Sequence, residues 1–160
     1  MKVFREQQFI KRWWLFMFIL SVIVIIVGTA YYATLEAEES TAVIVSTISL
    51  LIAAPLVFAL AYTRLETQID KEGVSARFKP FKFTEKHYNW GEIEKCYVRE
   101  LDIVKEYGGW GIRGLGSNNK AYHIYGSKGI QLKTKAGEDF LIGTQRPKAA
   151  QKIINLYFHS

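Results

Sequence analysis

The sequence contains one cysteine, Cys96, and three prolines in 160 residues. A lone thiol excludes an intrachain disulfide, and no Cys/His spacing along the chain suggests a zinc site. The most informative lack is local. Residues 13–35 contain no Asp, Glu, Lys or Arg, and neither do residues 41–63. The hydrophobic share of 49% is therefore an average over two unlike parts. Residues 64–160 hold 17 Lys/Arg against 11 Asp/Glu, the first twelve residues hold four bases and one acid, and the segment between the uncharged runs holds three Glu. This distribution argues against a chain that is wholly water-facing or wholly lipid-facing. It leaves about 100 residues for a folded charged domain, few for a multi-substrate enzyme.

Each uncharged run is 23 residues long, so as a helix it would rise ~34 Å, against a hydrocarbon core of ~30 Å. The first opens on Trp13-Trp14 and is interrupted only by Ser21 between Leu15 and Val27. A signal-peptide apolar region normally spans only about 7–15 residues. The reading that follows is two transmembrane helices, 13–35 and 41–63, joined by a short external acidic turn over 36–40. Residues 1–12 then form a basic cytoplasmic N-terminus, and 64–160 a cytoplasmic domain. Lys2, Arg5, Lys11 and Arg12 precede the first run and Arg64 and Lys71 follow the second, which by the positive-inside rule puts both termini in the cytoplasm. Neither run carries an ionisable residue at its centre, which disfavours an ion pump or coupled transporter.

From residue 64 the dominant period is two. Leu65, Thr67 and Ile69 alternate with charged and polar neighbours, Lys71-Glu72-Gly73 supplies a hairpin turn, and strands are expected over 74–79, 81–84, 93–103 and 121–125. Ile130 and Leu132, then Phe140 and Ile142, continue the alternation across a turn at 135–138. After Gly143 the period changes: Pro147 suits a first helical position, and Ala150, Ile153, Ile154, Tyr157 and Phe158 recur at three- and four-residue steps. About seven strands and one terminal helix predict either two small antiparallel sheets or an open barrel plugged by the helix.

The segments Asn89-Trp90-Gly91-Glu92-Ile93 and Gly143-Thr144-Gln145-Arg146-Pro147, with the glycine-rich Gly108–Arg113 stretch, resemble those of bacterial pleckstrin-homology-like (PH-like) domains that accompany paired transmembrane helices. The resemblance covers residues 64–160. It implies a transmembrane hairpin followed by about seven antiparallel strands in an open barrel, capped by a C-terminal helix, in a multi-pass protein of the bacterial inner membrane. It implies binding of proteins or lipids and supplies no catalytic residues.

Individual motifs support little chemistry. Gly109-Trp110-Gly111-Ile112-Arg113-Gly114 matches G-x-G-x-x-G, but turn composition follows it where a dinucleotide site needs a helix. Trp110 and Arg113 are of the types most enriched in binding hot spots and are the candidate partner contacts. Cys96 lies mid-strand with no adjacent base, and His87, His123 and His159 are scattered. Glu92 with Glu94, and Asp70 with Glu72, read as solvated pairs. Arg77, Lys79, Lys82 and Lys86 interleave with aromatics and are candidate contacts for anionic lipid headgroups; nucleic acid is not an expected partner. No cofactor, metal or catalytic group is expected. The function anticipated is a non-enzymatic, inner-membrane-anchored interaction module serving a protein partner or its own copies, with membrane lipids around the hairpin. The alternatives are an anionic-lipid sensor or an accessory subunit of a larger membrane complex.

Overall fold

A computed structural model describes residues 2–9, 12–36, 39–114 and 116–158. The chain forms two compact units, one of Met1–Phe9 with Arg64–Ser160 and one of Ile10–Thr63. Leu115, like residues 37 and 38 of the acidic turn, lies outside the described residues.

The first unit contains two sheets. In the four-stranded sheet β1 (Phe4–Phe9), β2 (Arg64–Ile69), β3 (Gly73–Lys79) and β4 (Lys86–Asn89) lie side by side in chain order, all antiparallel. β1 comes from the segment read as a basic tail. Its alternation is strict, with Phe4, Glu6 and Gln8 buried and Arg5, Gln7 and Phe9 exposed. Two of the three buried positions are polar, so no apolar period betrays the strand. The β2–β3 hairpin turns on Asp70, whose Oδ1 accepts from the backbone N–H of Glu72 and Gly73. Gly73 is required by the close approach of β4, because an added Cβ would collide with the Tyr88 carbonyl.

The second sheet runs in the order β5 (Ile93–Glu100), β8 (Lys128–Thr134), β9 (Asp139–Gly143), β7 (Asn119–His123), β6 (Gly111–Arg113). All pairs are antiparallel except β7 with β9, which is parallel. A register shift between Ile93 and Lys95 puts a bulge near the start of β5. The strand expected over 93–103 stops at Glu100, because Asp102 caps the short helix α3 (Ile103–Tyr107) by accepting from the Lys105 N–H. The segment 81–84 is a 3-10 turn instead of a strand, tied by the Thr84 hydroxyl to the backbone of Phe78 and Phe81. The terminal helix α4 (Pro147–Tyr157) starts at the proline.

One core lies between the sheets. Leu65, Ile69, Val74 and Phe78 of the first sheet pack with Tyr122, Ile130, Leu132, Phe140 and Ile142 of the second, and α4 adds Ala150 and Ile154. The rings of Phe78, Tyr122, Phe140 and Tyr88 follow one another with centroids 5.3, 4.9 and 5.5 Å apart. A smaller cluster of Leu101, Ile103, Ala121 and Leu141 also forms. β1 is fastened to the far end of the chain through polar groups. The Glu6 carboxylate, only 6% exposed, accepts from Thr144 Oγ1 at 2.6 Å, the Gln145 N–H at 2.6 Å and Gln8 Nε2 at 3.1 Å. Gln8 also donates to the Gly143 carbonyl at 2.7 Å, and the Tyr157 hydroxyl donates to the Lys2 carbonyl.

The fold differs from the expected PH-like barrel. Among the described residues the chain has nine strands in two separate sheets, and neither sheet closes on itself or on the other through hydrogen bonds. The strands not expected from the sequence are β1, β4 and the short β6. The parallel β7–β9 pair also departs from an all-antiparallel plan.

The second unit consists of α1 (Arg12–Glu36), 25 residues, and α2 (Glu39–Tyr62), 24 residues with Pro55 inside. The two helices pack against each other, and large apolar side chains such as Phe16, Val24, Leu51 and Phe58 stand exposed on them. Surface of this kind usually marks a contact with another apolar body. The reading of two membrane spans is nevertheless corrected: among the described residues no helix is long and apolar enough to cross a membrane. The multi-pass inner-membrane location, with its cytoplasmic termini and external turn, rested on two spans and is withdrawn with them.

Candidate ligand and partner surfaces

Strand alternation sends one face of the four-stranded sheet into the core and leaves the other outside. On the outer face cross-strand register aligns Gln7, Glu66 and Arg77 in one row, and Phe9, Arg64 and Lys79 in the next. Gln7, Glu66, Arg77 and Lys79 of these rows, with Arg5, Gln68, Ser75 and His87, line a concavity of about 470 Å³. Lys79 is among its lining residues; Arg64 stands beside it through Glu66. At the centre the Glu66 carboxylate meets Arg64 Nε at 3.1 Å, Arg77 at 3.0 Å and Lys79 Nζ at 3.0 Å, and accepts from Gln7 Nε2 at 3.0 Å. Partial burial pushes the Glu66 pKa up, but the Lys79 and Arg77 bonds outweigh it and hold the carboxyl below its ordinary range. Arg77 also reaches Glu85 at 3.9 Å, and Arg5 donates to Gln68.

Of the four expected headgroup contacts, Arg77 and Lys79 line this concavity, whereas Lys82 and Lys86 do not. Lys82 is exposed on the 3-10 turn, and Lys86 is half-buried at the start of β4, near Glu138. Arg5, Arg64 and Glu66 were missed by sequence reading. They come from strands separated by the whole helical unit, and the only signal for them is the outward phase of β2.

Trp110 lies in the loop between α3 and β6, and Arg113 ends β6. The helix ends at Gly108, in the left-handed region at φ 72°, with its N–H bonded back to the Ile103 and Val104 carbonyls. Gly109 and Gly111 have φ of 124° and 96°, values that side-chain-bearing residues rarely adopt. The Arg113 guanidinium folds back toward the Gly109 carbonyl, Nε to O 3.4 Å. The indole of Trp110 is 51% exposed. No nucleotide cradle exists here, since β6 follows the glycines in place of a helix.

Cys96 is buried, and burial pushes its thiol up to about 12. His123 is buried too, and burial lowers its pKa; neither ring nitrogen has a hydrogen-bond partner among the described residues. Asp70 keeps its role as turn acceptor, with its pKa lowered; burial opposes that shift, and the bonds from Gln68, Glu72 and Gly73 prevail. Glu92 closes a capping box by accepting from the Asn89 N–H. Among the described residues no three His, Cys, Asp or Glu side chains are grouped as metal ligands.

The chain matches no family model, no curated protein and no solved structure. The resemblance to PH-like membrane proteins is therefore unsupported by relatives as well as by the two open sheets.

Proposed function

We propose that this protein is a non-enzymatic interaction module, whose two-sheet unit engages a protein partner or a second copy of itself through Trp110, on the α3–β6 loop, and Arg113, at the end of β6. The observation that carries the reading is the half-exposed indole of Trp110 on a short, glycine-locked loop. Large exposed aromatics are costly in water and become anchors when a partner buries them. The loop is also preorganised: α3 is capped at both ends, and β6 is paired to β7, so little ordering entropy remains to be lost on binding. The burial of Cys96 and the structural duties of Asp70 and Glu92 fit a binding role better than a catalytic one.

The test is in-cell crosslinking of the full-length protein followed by mass spectrometry, repeated with Trp110→Ala and Arg113→Ala. Loss of a specific crosslinked species in both variants, with unchanged melting temperature, is the expected result. If every crosslinked species persists at wild-type yield in both folded variants, the loop is not the contact.

A further inference from the structure

We propose a second, independent site: the outer concavity of the four-stranded sheet binds a small ligand bearing a multiply charged phosphate group, with Arg5, Arg64, Arg77 and Lys79 as its cations. The site lies on a different surface from the Trp110 loop and does not rest on the reading of that loop.

Three observations converge. The first is charge. Arg64, Arg77 and Lys79 converge on Glu66, and Arg5 lies along the same face bonded to Gln68; of the other lining carboxylates, Glu85 reaches Arg77 only at 3.9 Å and the buried Glu6 is spent on Thr144 and Gln145. Counting Glu6, the four cations exceed the lining carboxylates by one, and neighbouring cations raise the local anion concentration. The second is chemistry. Three of the four cations are guanidinium groups, whose planar forks match phosphate oxygens better than an ammonium does. The third is shape and order. The concavity, at about 470 Å³, falls within the usual range for small-ligand clefts. It is built on paired strands, and Glu66 already holds Arg64, Arg77 and Lys79 converged at 3.0–3.1 Å.

Glu66 also selects the ligand class. It is an internal anion of one charge, tethered in place, and an incoming single carboxylate offers the cations nothing that Glu66 does not. A di- or polyphosphate brings more charge than Glu66 and can recruit Arg5 and the released Arg64 together. Gln7, Gln68 and Ser75 along the same face supply neutral polar groups beside the cations.

The experiment is isothermal titration calorimetry of the full chain with inorganic tripolyphosphate. Saturable one-to-one binding that weakens as salt rises is expected. Arg77→Gln and Lys79→Gln should each weaken it about tenfold, and Glu66→Gln should strengthen it severalfold by removing the internal competitor. Should Arg77→Gln fail to fold, as judged by its melting curve, Arg5→Gln on the strand edge serves in its place. The double variant Lys148→Gln/Lys152→Gln removes two exposed charges from α4 and should leave the affinity unchanged. No saturable heat, equal weakening by the α4 variant, or no strengthening in Glu66→Gln would each overturn the proposal.

Discussion

Phe9 and Arg64 are register partners on adjacent antiparallel strands, with the guanidinium carbon 6.0 Å from the ring centroid. The 54 residues between them in the chain make up the helical unit. That unit is thus an insertion in what would otherwise be a β-hairpin, and the first strand of the sheet unit is made before the helices begin.

Replacing residues 10–63 with a short Asn-Gly-containing turn should therefore leave a folded sheet unit. The β1–β2 pairing already brings the two chain ends together, and a shorter loop lowers the closure entropy, by about 0.6 kcal/mol per halving of length. A cooperative thermal transition in the shortened protein is the expected outcome. An unfolded product would mean that the sheets depend on the helices.

Glu6 should be among the costliest single residues to remove. Glu6→Ala leaves the Thr144 hydroxyl, the Gln145 N–H and one Gln8 proton without their acceptor in a buried setting, for a loss of about 2–4 kcal/mol. Glu6→Gln keeps one carbonyl acceptor and should cost roughly half as much. Urea titrations of the three proteins measure this, and equal stability of all three would show that β1 is held by its backbone pairing alone.

Acid should loosen the unit partly through Glu138. Its carboxylate accepts from the Tyr88 hydroxyl at 2.8 Å and pairs with Lys120. Burial raises the Glu138 pKa, and the Lys120 and Tyr88 bonds more than reverse this, so the net shift is downward from 4.5. A carboxyl whose pKa is lower folded than unfolded stabilises fully above the unfolded value, and that stability fades as pH falls through the folded one. Stability measured between pH 7 and 3 should accordingly drop less steeply in Glu138→Gln than in wild type. Identical slopes would remove Glu138 from the acid limb.

Several elements were legible because apolar phase and turn chemistry agreed. The 3.6-residue recurrence of Ala150 and Ile154 behind Pro147 marks α4, and Leu65, Thr67 and Ile69 before Lys71-Glu72-Gly73 mark the β2–β3 hairpin. Other elements were hidden for physical reasons. β1 buries Glu6 and Gln8, whose partners stand more than 130 residues away, so nothing local distinguishes it from a polar tail. Phe81 and Phe83 imitate strand alternation, yet the Thr84 hydroxyl satisfies the backbone of a turn. The cation cluster on the outer sheet face was half visible: Arg77 and Lys79 share a strand, but only the pairing of β1 and β2 across the insertion adds Arg5 and Arg64 to them.

The parallel β7–β9 pair has a consequence for how the molecule is made. β9 fills the slot between β7 and β8, both of which leave the ribosome before it does. Until residues 139–143 emerge, those two strands face a gap, with their inner edges unpaired. The buried bonds of Glu6 and Gln8 wait for the same late segment, since their acceptors and donors sit at Gly143, Thr144 and Gln145. A nascent chain truncated before residue 139 would therefore expose two unfinished strand edges and an unanchored first strand at once, which makes residues 139–145 the keystone of co-translational assembly.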